Sequence, residues 1–537
     1  MSFDRVYIYD TTLRDGAQTS GVDFGAADKH SIAQELDRLG VDYIEGGWPG
    51  ANPTDNRFFE NLPKLNFARI AAFGMTRRAG RSADDDPGLN ALMSTTARVL
   101  CMVGKASAYH VDVALGLTGE ENLAMIKDSV AFAASKMDEV LFDAEHFFDG
   151  YKADPDFALA CLGAALEGGA KWVVLCDTNG GTLPFEIEDI VGKVCALVPG
   201  SQIGIHCHDD TGNAVANSLA AVRAGARMVQ GTINGLGERC GNANLVSIIP
   251  TLMLKMGFAT GVSTDGLKTL RKVSTDLDER LNRAPDRHRP YVGEAAFAHK
   301  GGLHVSAVEK DPRCYEHIEP ESVGNRRAIL VSDQAGRSNL VARFRDIGLD
   351  VEADDPRLGE LLETVKTNEM QGYAYDGAEA SFELLARHAI GGVPEYFRCS
   401  SFRVLNERRW TDANTVENLT EATVKLAVKG GQEMAVAEGN GPVNALDAAL
   451  RKVLLPLYPS LVDLRLIDYK VRILTPGDAT AAVTRVTIES TDGSGAHWLT
   501  LGVSANVIDA SYNALRDSIV YKLLQDGAQV TNETPHD

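Results

Sequence analysis

The first 255 residues repeat one pattern eight times. Short apolar stretches occur at Val6–Asp10, Tyr43–Gly46, Arg69–Gly74, Arg98–Val103, Glu139–Ala144, Trp172–Asp177, Gln202–His208 and Met228–Ile233, with helix-length segments between them. Each stretch is rich in Val, Ile, Leu or aromatic residues, as parallel strands buried on both faces require. Ala26–Leu39, Glu120–Ser135, Asp156–Glu167 and Asn213–Ala224 carry apolar residues at helical spacing. Gly40, Gly168-Gly169 and Gly225 stand where three of these helices end. Eight strand–helix repeats predict a (β/α)8 TIM barrel. The rival is a doubly wound open sheet, which usually carries a glycine-rich nucleotide loop after its first strand. Here the first strand runs into Thr11-Thr12-Leu13-Arg14-Asp15-Gly16, which is not such a loop.

A chain of 537 residues is too long for one core, so further domains are expected after a barrel spanning 1–261. From 262 to 394 the strand alternation stops and helical patterns dominate, as in Gly359–Gln371 and Gly377–Ala389. This segment reads as a helical linker subdomain. From Phe397 the pattern is β-rich again. Ala422–Val428 and Ala481–Ser490 read as strands, and Val443–Leu455 and Ala510–Leu524 as helices. Turns at Gly430-Gly431 and Gly439-Asn440-Gly441 separate them. The expected domain is a small α+β unit over 395–526, with a polar, disordered tail at 527–537.

No stretch has the length of apolar residues that spans a bilayer. The start, Met1-Ser2-Phe3-Asp4-Arg5, lacks the parts of a signal peptide, so a cytoplasmic location is expected. The eight cysteines are scattered with no CxxC pair and read as reduced thiols. A formal charge of −21 argues against a general nucleic-acid binder, because phosphate recognition needs a positive field. It leaves an anionic small substrate open, since a local arginine can hold a carboxylate.

A TIM barrel carries its chemistry at the C-terminal ends of its strands, and polar residues collect at those ends here. They are Asp10, Arg14 and Asp15 after strand one, Glu45 after strand two, and Asp143, Glu145 and His146 after strand five. Asp177 and Thr178 follow strand six, His206-Cys207-His208-Asp209-Asp210 strand seven, and Asn234 to Asn242 strand eight. Alternate residues of a strand point the same way, so His206 and His208 can share one ion. With Asp15 they make a mixed nitrogen–oxygen site suited to Zn, Mn, Fe or Co, and less so to Mg. The competing reading is two histidines satisfied by hydrogen bonds. Arg14 can hold a 2-oxoacid carboxylate or stabilise the oxyanion that forms on its keto oxygen. Thr178 can donate to the substrate carboxylate, and Asn242 can complete the oxygen ligands of the ion.

Tyr9-Asp10-Thr11-Thr12-Leu13-Arg14-Asp15-Gly16-Ala17-Gln18, His206-Cys207-His208-Asp209-Asp210 and Gly235-Leu236-Gly237-Glu238-Arg239-Cys240-Gly241-Asn242 together resemble the DRE-TIM metallolyase superfamily. The chain is similar, over nearly its whole length, to the 2-isopropylmalate/citramalate/homocitrate synthase group. That similarity includes a C-terminal domain like the regulatory domain of 2-isopropylmalate synthase. The resemblance implies a Claisen condensation of acetyl-CoA with a 2-oxoacid held by a divalent metal (Mn, Zn, Co or Mg). Arg14 matches the catalytic arginine of the group, and Asp15, His206, His208 and Asn242 match its metal shell. Glu145 matches an acid/base residue. His304, in Lys300-Gly301-Gly302-Leu303-His304-Val305, matches a histidine brought by the linker subdomain, although the usual Gln-Asp after it is Val-Ser here. Tyr315 corresponds to a tyrosine supplied across a dimer interface. Histidine titrates near neutrality, so His304 is expected to take the proton with Glu145 in support.

The segments Glu45-Gly46-Gly47-Trp48-Pro49-Gly50-Ala51-Asn52-Pro53-Thr54-Asp55 and Phe142 to Gly150 resemble the branch of the group that uses pyruvate. The expected reaction joins acetyl-CoA, pyruvate and water into (R)-citramalate and CoA, on a route to isoleucine. The expected protein is a homodimer with an amino-acid effector, isoleucine, at its C-terminal domain. Substrate choice turns on a methylene-scale difference of about 1–3 kcal/mol, so 2-oxoisovalerate, as in 2-isopropylmalate synthase, is the alternative. A 3-hydroxy-3-methylglutaryl-CoA lyase shares the motifs but is usually barrel only. A biotin-dependent carboxyltransferase needs a metal-bound lysine that Leu175-Cys176-Asp177-Thr178 lacks. A non-catalytic regulatory protein is disfavoured by the intact ligand set.

Overall fold

In the computed structural model, the structure describes residues 4–329, 337–349, 351–352, 354–375, 378–410, 416–428 and 431–530. The expected tail beyond 530 and part of the turn at Gly430-Gly431 lie outside the described residues. The first eight strands are β1 (Tyr7–Asp10), β2 (Tyr43–Gly47), β3 (Arg69–Met75), β4 (Val99–Lys105), β5 (Glu139–Glu145), β6 (Trp172–Asp177), β7 (Ile203–Cys207) and β8 (Met228–Gly231). They form a closed barrel in chain order, every pair parallel, with β8 returning to β1. The TIM barrel read from the sequence is therefore present. The helices Ala26–Leu39, Gly119–Ala134, Pro155–Glu167 and Ala214–Ala224 lie within about two residues of the expected ranges.

The strands read as continuous apolar runs because both of their faces are buried. One set of side chains faces the helices. The other, including Tyr43, Leu141, Trp172 and Met228, fills the barrel interior. Above that interior layer the filling changes to Tyr9, Glu45, Cys101, Asp143 and Gln230, all buried. The chain thus places a polar layer beneath the mouth of the barrel, where water cannot satisfy it.

The chain divides into two compact units, Met1–Phe297 with His317–Arg327, and Ala298–Glu316 with Ala328–Asp537. These units cut the chain at other places than the expected boundaries after 261 and 394. Helix Leu270–Arg280 belongs to the barrel unit, where Arg280 pairs with Glu35 at 2.8 Å and Asp278 accepts from Arg289 at 2.6 Å.

The second unit opens with a short parallel pair, β9 (Ala298–His299) and β10 (Ala328–Ile329), and four helices, Gly302–Lys310, Arg337–Asp346, Pro356–Met370 and Glu379–Ala389. Two similar arrays follow. In each, a three-stranded antiparallel sheet is followed by a helix. The first is β11 (Arg398–Trp410), β12 (Val416–Val428), β13 (Gly431–Gly439) and helix Pro442–Leu454. The second is β14 (Arg465–Ile473), β15 (Thr484–Thr491), β16 (His497–Ser504) and helix Val507–Gln525. Helix Pro442–Leu454 buries Ala445, Leu446, Ala449, Leu450 and Val453, an apolar stripe at helical spacing that covers its sheet. Among the described residues no helix is long and apolar enough to cross a membrane.

Candidate active site

Arg14 and Asp15 follow β1, where Asp10 shapes the turn. The Asp10 carboxylate accepts from the Thr12 amide at 2.9 Å and the Thr12 hydroxyl at 2.8 Å. Arg14 is then fixed on three sides. Its Nε donates to Glu45 Oε2 at 2.6 Å, a second nitrogen is paired with Asp15, and its Cζ lies 3.8 Å from the centroid of the Phe73 ring. Held in this way the guanidinium needs no reorganisation to meet an oxyanion. Burial pushes the Glu45 carboxyl up to about 7 against the pull of Arg14, with Asp143 adding to the rise. Burial would also push Asp15 up, but Arg14, then His206 and His208, hold it below the usual carboxylate range.

Asp15, His206, His208 and Asn242 come together across the barrel mouth. Asp15 Oδ2 lies 3.4 Å from His206 Nε2. The Asn242 amide nitrogen lies 3.2 Å from the same Asp15 oxygen and 3.1 Å from His206 Nε2. The His206 and His208 rings are 5.2 Å apart, in line with strand alternation carried one residue past the end of β7. His208 and Asn242 are joined by a β-bridge, which brings the loop after β8 against the end of β7. Asn242 sits so close to Gly237 that a Cβ there would lie 1.9 Å from Asn242 Oδ1.

These donors suit a divalent cation. His208 Nδ1 and Asn242 Oδ1 are buried without a hydrogen-bond partner among the described residues, and such orphaned atoms call for an ion or water. Burial, then His206, pushes His208 down to about 4, which keeps its imidazole neutral, the form that ligates metal. A different trio, Glu45, Cys101 and Asp143, also places ligand-type atoms within 4.8 Å of one another. Its members are already engaged. Glu45 takes Arg14 and the Tyr9 hydroxyl, Asp143 takes Gln230, and burial drives the Cys101 thiol up, away from the thiolate that binds metal.

Glu145 ends β5 and pairs with Lys105 at the end of β4, 2.5 Å away. Thr178 follows β6, and its hydroxyl accepts the His146 amide at 2.8 Å while keeping its own hydrogen to donate. His304 and Tyr315 belong to the second unit. His304 is exposed on helix Gly302–Lys310, and its ring stacks on that of Tyr315 with centroids 4.2 Å apart.

Two segments read for substrate choice differ in kind. Phe147 is fully buried against Phe148 and Tyr151 and belongs to the core. Trp48 is half-buried and meets Phe73 edge-on at 5.5 Å, beside the face that Arg14 covers. The turn that presents Trp48 rests on a buried Lys29–Asp55 pair, with Lys29 donating to Gly46 O at 2.9 Å and the Trp48 amide to Asp55 at 2.8 Å. Gly47 has φ +141° there, and a Cβ would fall 2.5 Å from the Asp55 carboxyl carbon. Sequence reasoning gave no role to Gln230, whose signal was a polar residue inside the apolar strand Met228-Val229-Gln230-Gly231. It also gave none to Lys105 or Phe73, for which a single sequence holds no signal.

The HMGL-like family matches residues 5–274, the homocitrate synthase post-HMGL domain-like family 291–372, and the LeuA allosteric (dimerisation) domain family 376–523. The (R)-citramalate synthase of Aquifex aeolicus is 53% identical over 97% of this chain and 98% of its own. That of Geobacter sulfurreducens is 50% identical over 96% and 97%. The 2-isopropylmalate synthase of Aquifex aeolicus is 30% identical over 96% and 95%. With the barrel, the acid–histidine cluster at its mouth and this similarity along nearly the full length, the chain belongs to the (R)-citramalate synthase family.

Proposed function

We propose that the chain is an (R)-citramalate synthase that condenses acetyl-CoA with pyruvate and water to give (R)-citramalate and CoA. The observation that carries the reading is Arg14, held between Glu45, Asp15 and Phe73 beside the Asp15–His206–His208–Asn242 donors. Asp15, His206 and His208, with Asn242, would hold a divalent metal that polarises the 2-oxoacid keto group as a Lewis acid. Arg14 binds the negative charge that grows on the keto oxygen as the new carbon–carbon bond forms. The Thr178 hydroxyl donates to the pyruvate carboxylate. His304 takes the acetyl methyl proton, with Glu145 in support, and Tyr315 belongs to the substrate-binding set. A cytoplasmic homodimer, and damping of the reaction by isoleucine at the C-terminal domain, complete the proposal.

Thiol release from acetyl-CoA, followed with and without pyruvate, tests it. Release that requires pyruvate, stops on chelation and returns with Mn(II) supports the reading, and pyruvate-independent release contradicts it. Saturating isoleucine added to the same assay slows release if the effector assignment is right.

A further inference from the structure

Gln230 stands beside His206 across the β7–β8 pair, and both side chains enter the barrel. Gln230 Oε1 lies 2.7 Å from His206 Nδ1, and Gln230 Nε2 lies 3.0 Å from Asp143 Oδ1, reached from β5 across the barrel interior. Exposure is 5% for His206, 0% for Gln230 and 3% for Asp143, so no solvent can take over these bonds. A carboxamide has one acceptor end and one donor end. The Asp143 oxygen takes the donor end, which turns the acceptor end toward His206. An acceptor at 2.7 Å from Nδ1 requires the ring hydrogen to sit on Nδ1, and Nε2 is then left with its lone pair. Nε2 is the atom that faces Asp15 and Asn242. The reversed amide would set an oxygen against the Asp143 oxygen and two hydrogens against a ring nitrogen that must accept.

We propose that Gln230, oriented by Asp143, is a positioning residue that fixes the tautomer of His206 so that Nε2 can ligate a divalent cation. The inference rests on the metal-site reading above. It gives a use to Asp143, a carboxylate buried in the polar layer that touches none of Asp15, His208 or Asn242 in the hydrogen bonds described.

The experiment has two arms on the full chain. Long-range proton–nitrogen spectra of the metal-free protein, labelled at histidine, read the His206 tautomer directly, with assignment from His206→Gln. The expected result is hydrogen on Nδ1; hydrogen on Nε2 overturns the proposal without any variant. The second arm is calorimetric titration with Mn(II). Gln230→Met fills the same space without an acceptor and is expected to bind Mn(II) about 10–100-fold more weakly, the usual effect of removing a partner that orients a ligand. Gln230→Glu, protonated on the oxygen that faces Asp143, donates there as the amide did and keeps its other oxygen toward Nδ1; it is expected to restore most of the affinity, which mere filling of the core would not do. Gln230→Met with wild-type affinity, or Gln230→Glu as weak as Gln230→Met, overturns the positioning role while leaving the metal site standing. A wild-type chain that binds no Mn(II) overturns both.

Discussion

The two units bury polar side chains of different kinds. In the barrel unit about half are carboxylates, imidazoles and a lysine, and many of these gather near the C-terminal ends of the strands: Asp10, Asp15, Glu45, Asp143, His206, His208 and the Lys29–Asp55 pair. In the second unit they are mainly hydroxyls that bond nearby, such as Thr500 to Ala514 O at 2.8 Å and Ser490 to Ser518 at 2.7 Å. Among the described residues its buried charges, Glu383 and Lys522, each have an opposite partner one helical turn away, at 2.8 and 2.7 Å. Burying a charge costs several kcal/mol unless it is well paired. The barrel nevertheless keeps Glu45 and Asp143 in one buried layer, where burial raises both. A structural core has no need of that arrangement, whereas a site that must hold a cation and an arginine does. The contrast supports placing the proposed metal donors and Arg14 in the barrel unit.

The largest effect should come from breaking the charged layer at Arg14. Arg14→Gln is expected to lower kcat about 100- to 1,000-fold, as loss of an oxyanion donor does, with the fold retained by circular dichroism. A smaller loss would mean that Arg14 acts as a structural ion pair. Lys29→Met leaves Asp55 buried and unpaired, and about 3–5 kcal/mol of barrel stability should disappear in denaturant unfolding. Asp10 sharpens the contrast through pH. Burial raises its folded pKa to about 7, so its contribution to stability is present below the unfolded carboxylate value and is lost as pH rises through about 7. The stability of Asp10→Asn relative to wild type should therefore improve between pH 5 and pH 8. A flat difference would show that Asp10 is not raised. The mildest change is predicted for the second unit, where Thr500→Val should cost only about 1 kcal/mol of stability and leave kcat unaltered.

The same contrast decided what could be read from sequence. The barrel was legible because burial on both faces writes itself as eight unbroken apolar runs, and the proposed metal donors because His206 and His208 alternate at one strand end. Gln230 and Asp143 escaped a role because their meaning lies in a contact across the barrel, between β8 and β5, that no spacing along the chain records. In the second unit β12 and β15, the central strands of their sheets, were visible as strands, while β14 was not. It was passed over although Ile467-Asp468-Tyr469-Lys470-Val471-Arg472-Ile473 alternates apolar and polar residues with a period of two, and in the fold Ile467, Val471 and Ile473 are exposed. Helix Leu270–Arg280 was assigned to a linker because its helical pattern resembles the segment after it, whereas its ion pair with Glu35 ties it to the barrel.

Steady-state thiol release from acetyl-CoA with pyruvate, 2-oxobutyrate, 2-oxoisovalerate and 2-oxoglutarate, compared as kcat/KM, bears most directly on what the barrel mouth does. Pyruvate is expected to give the highest value, with (R)-citramalate as the product. A clear preference for 2-oxoisovalerate would contradict the assignment.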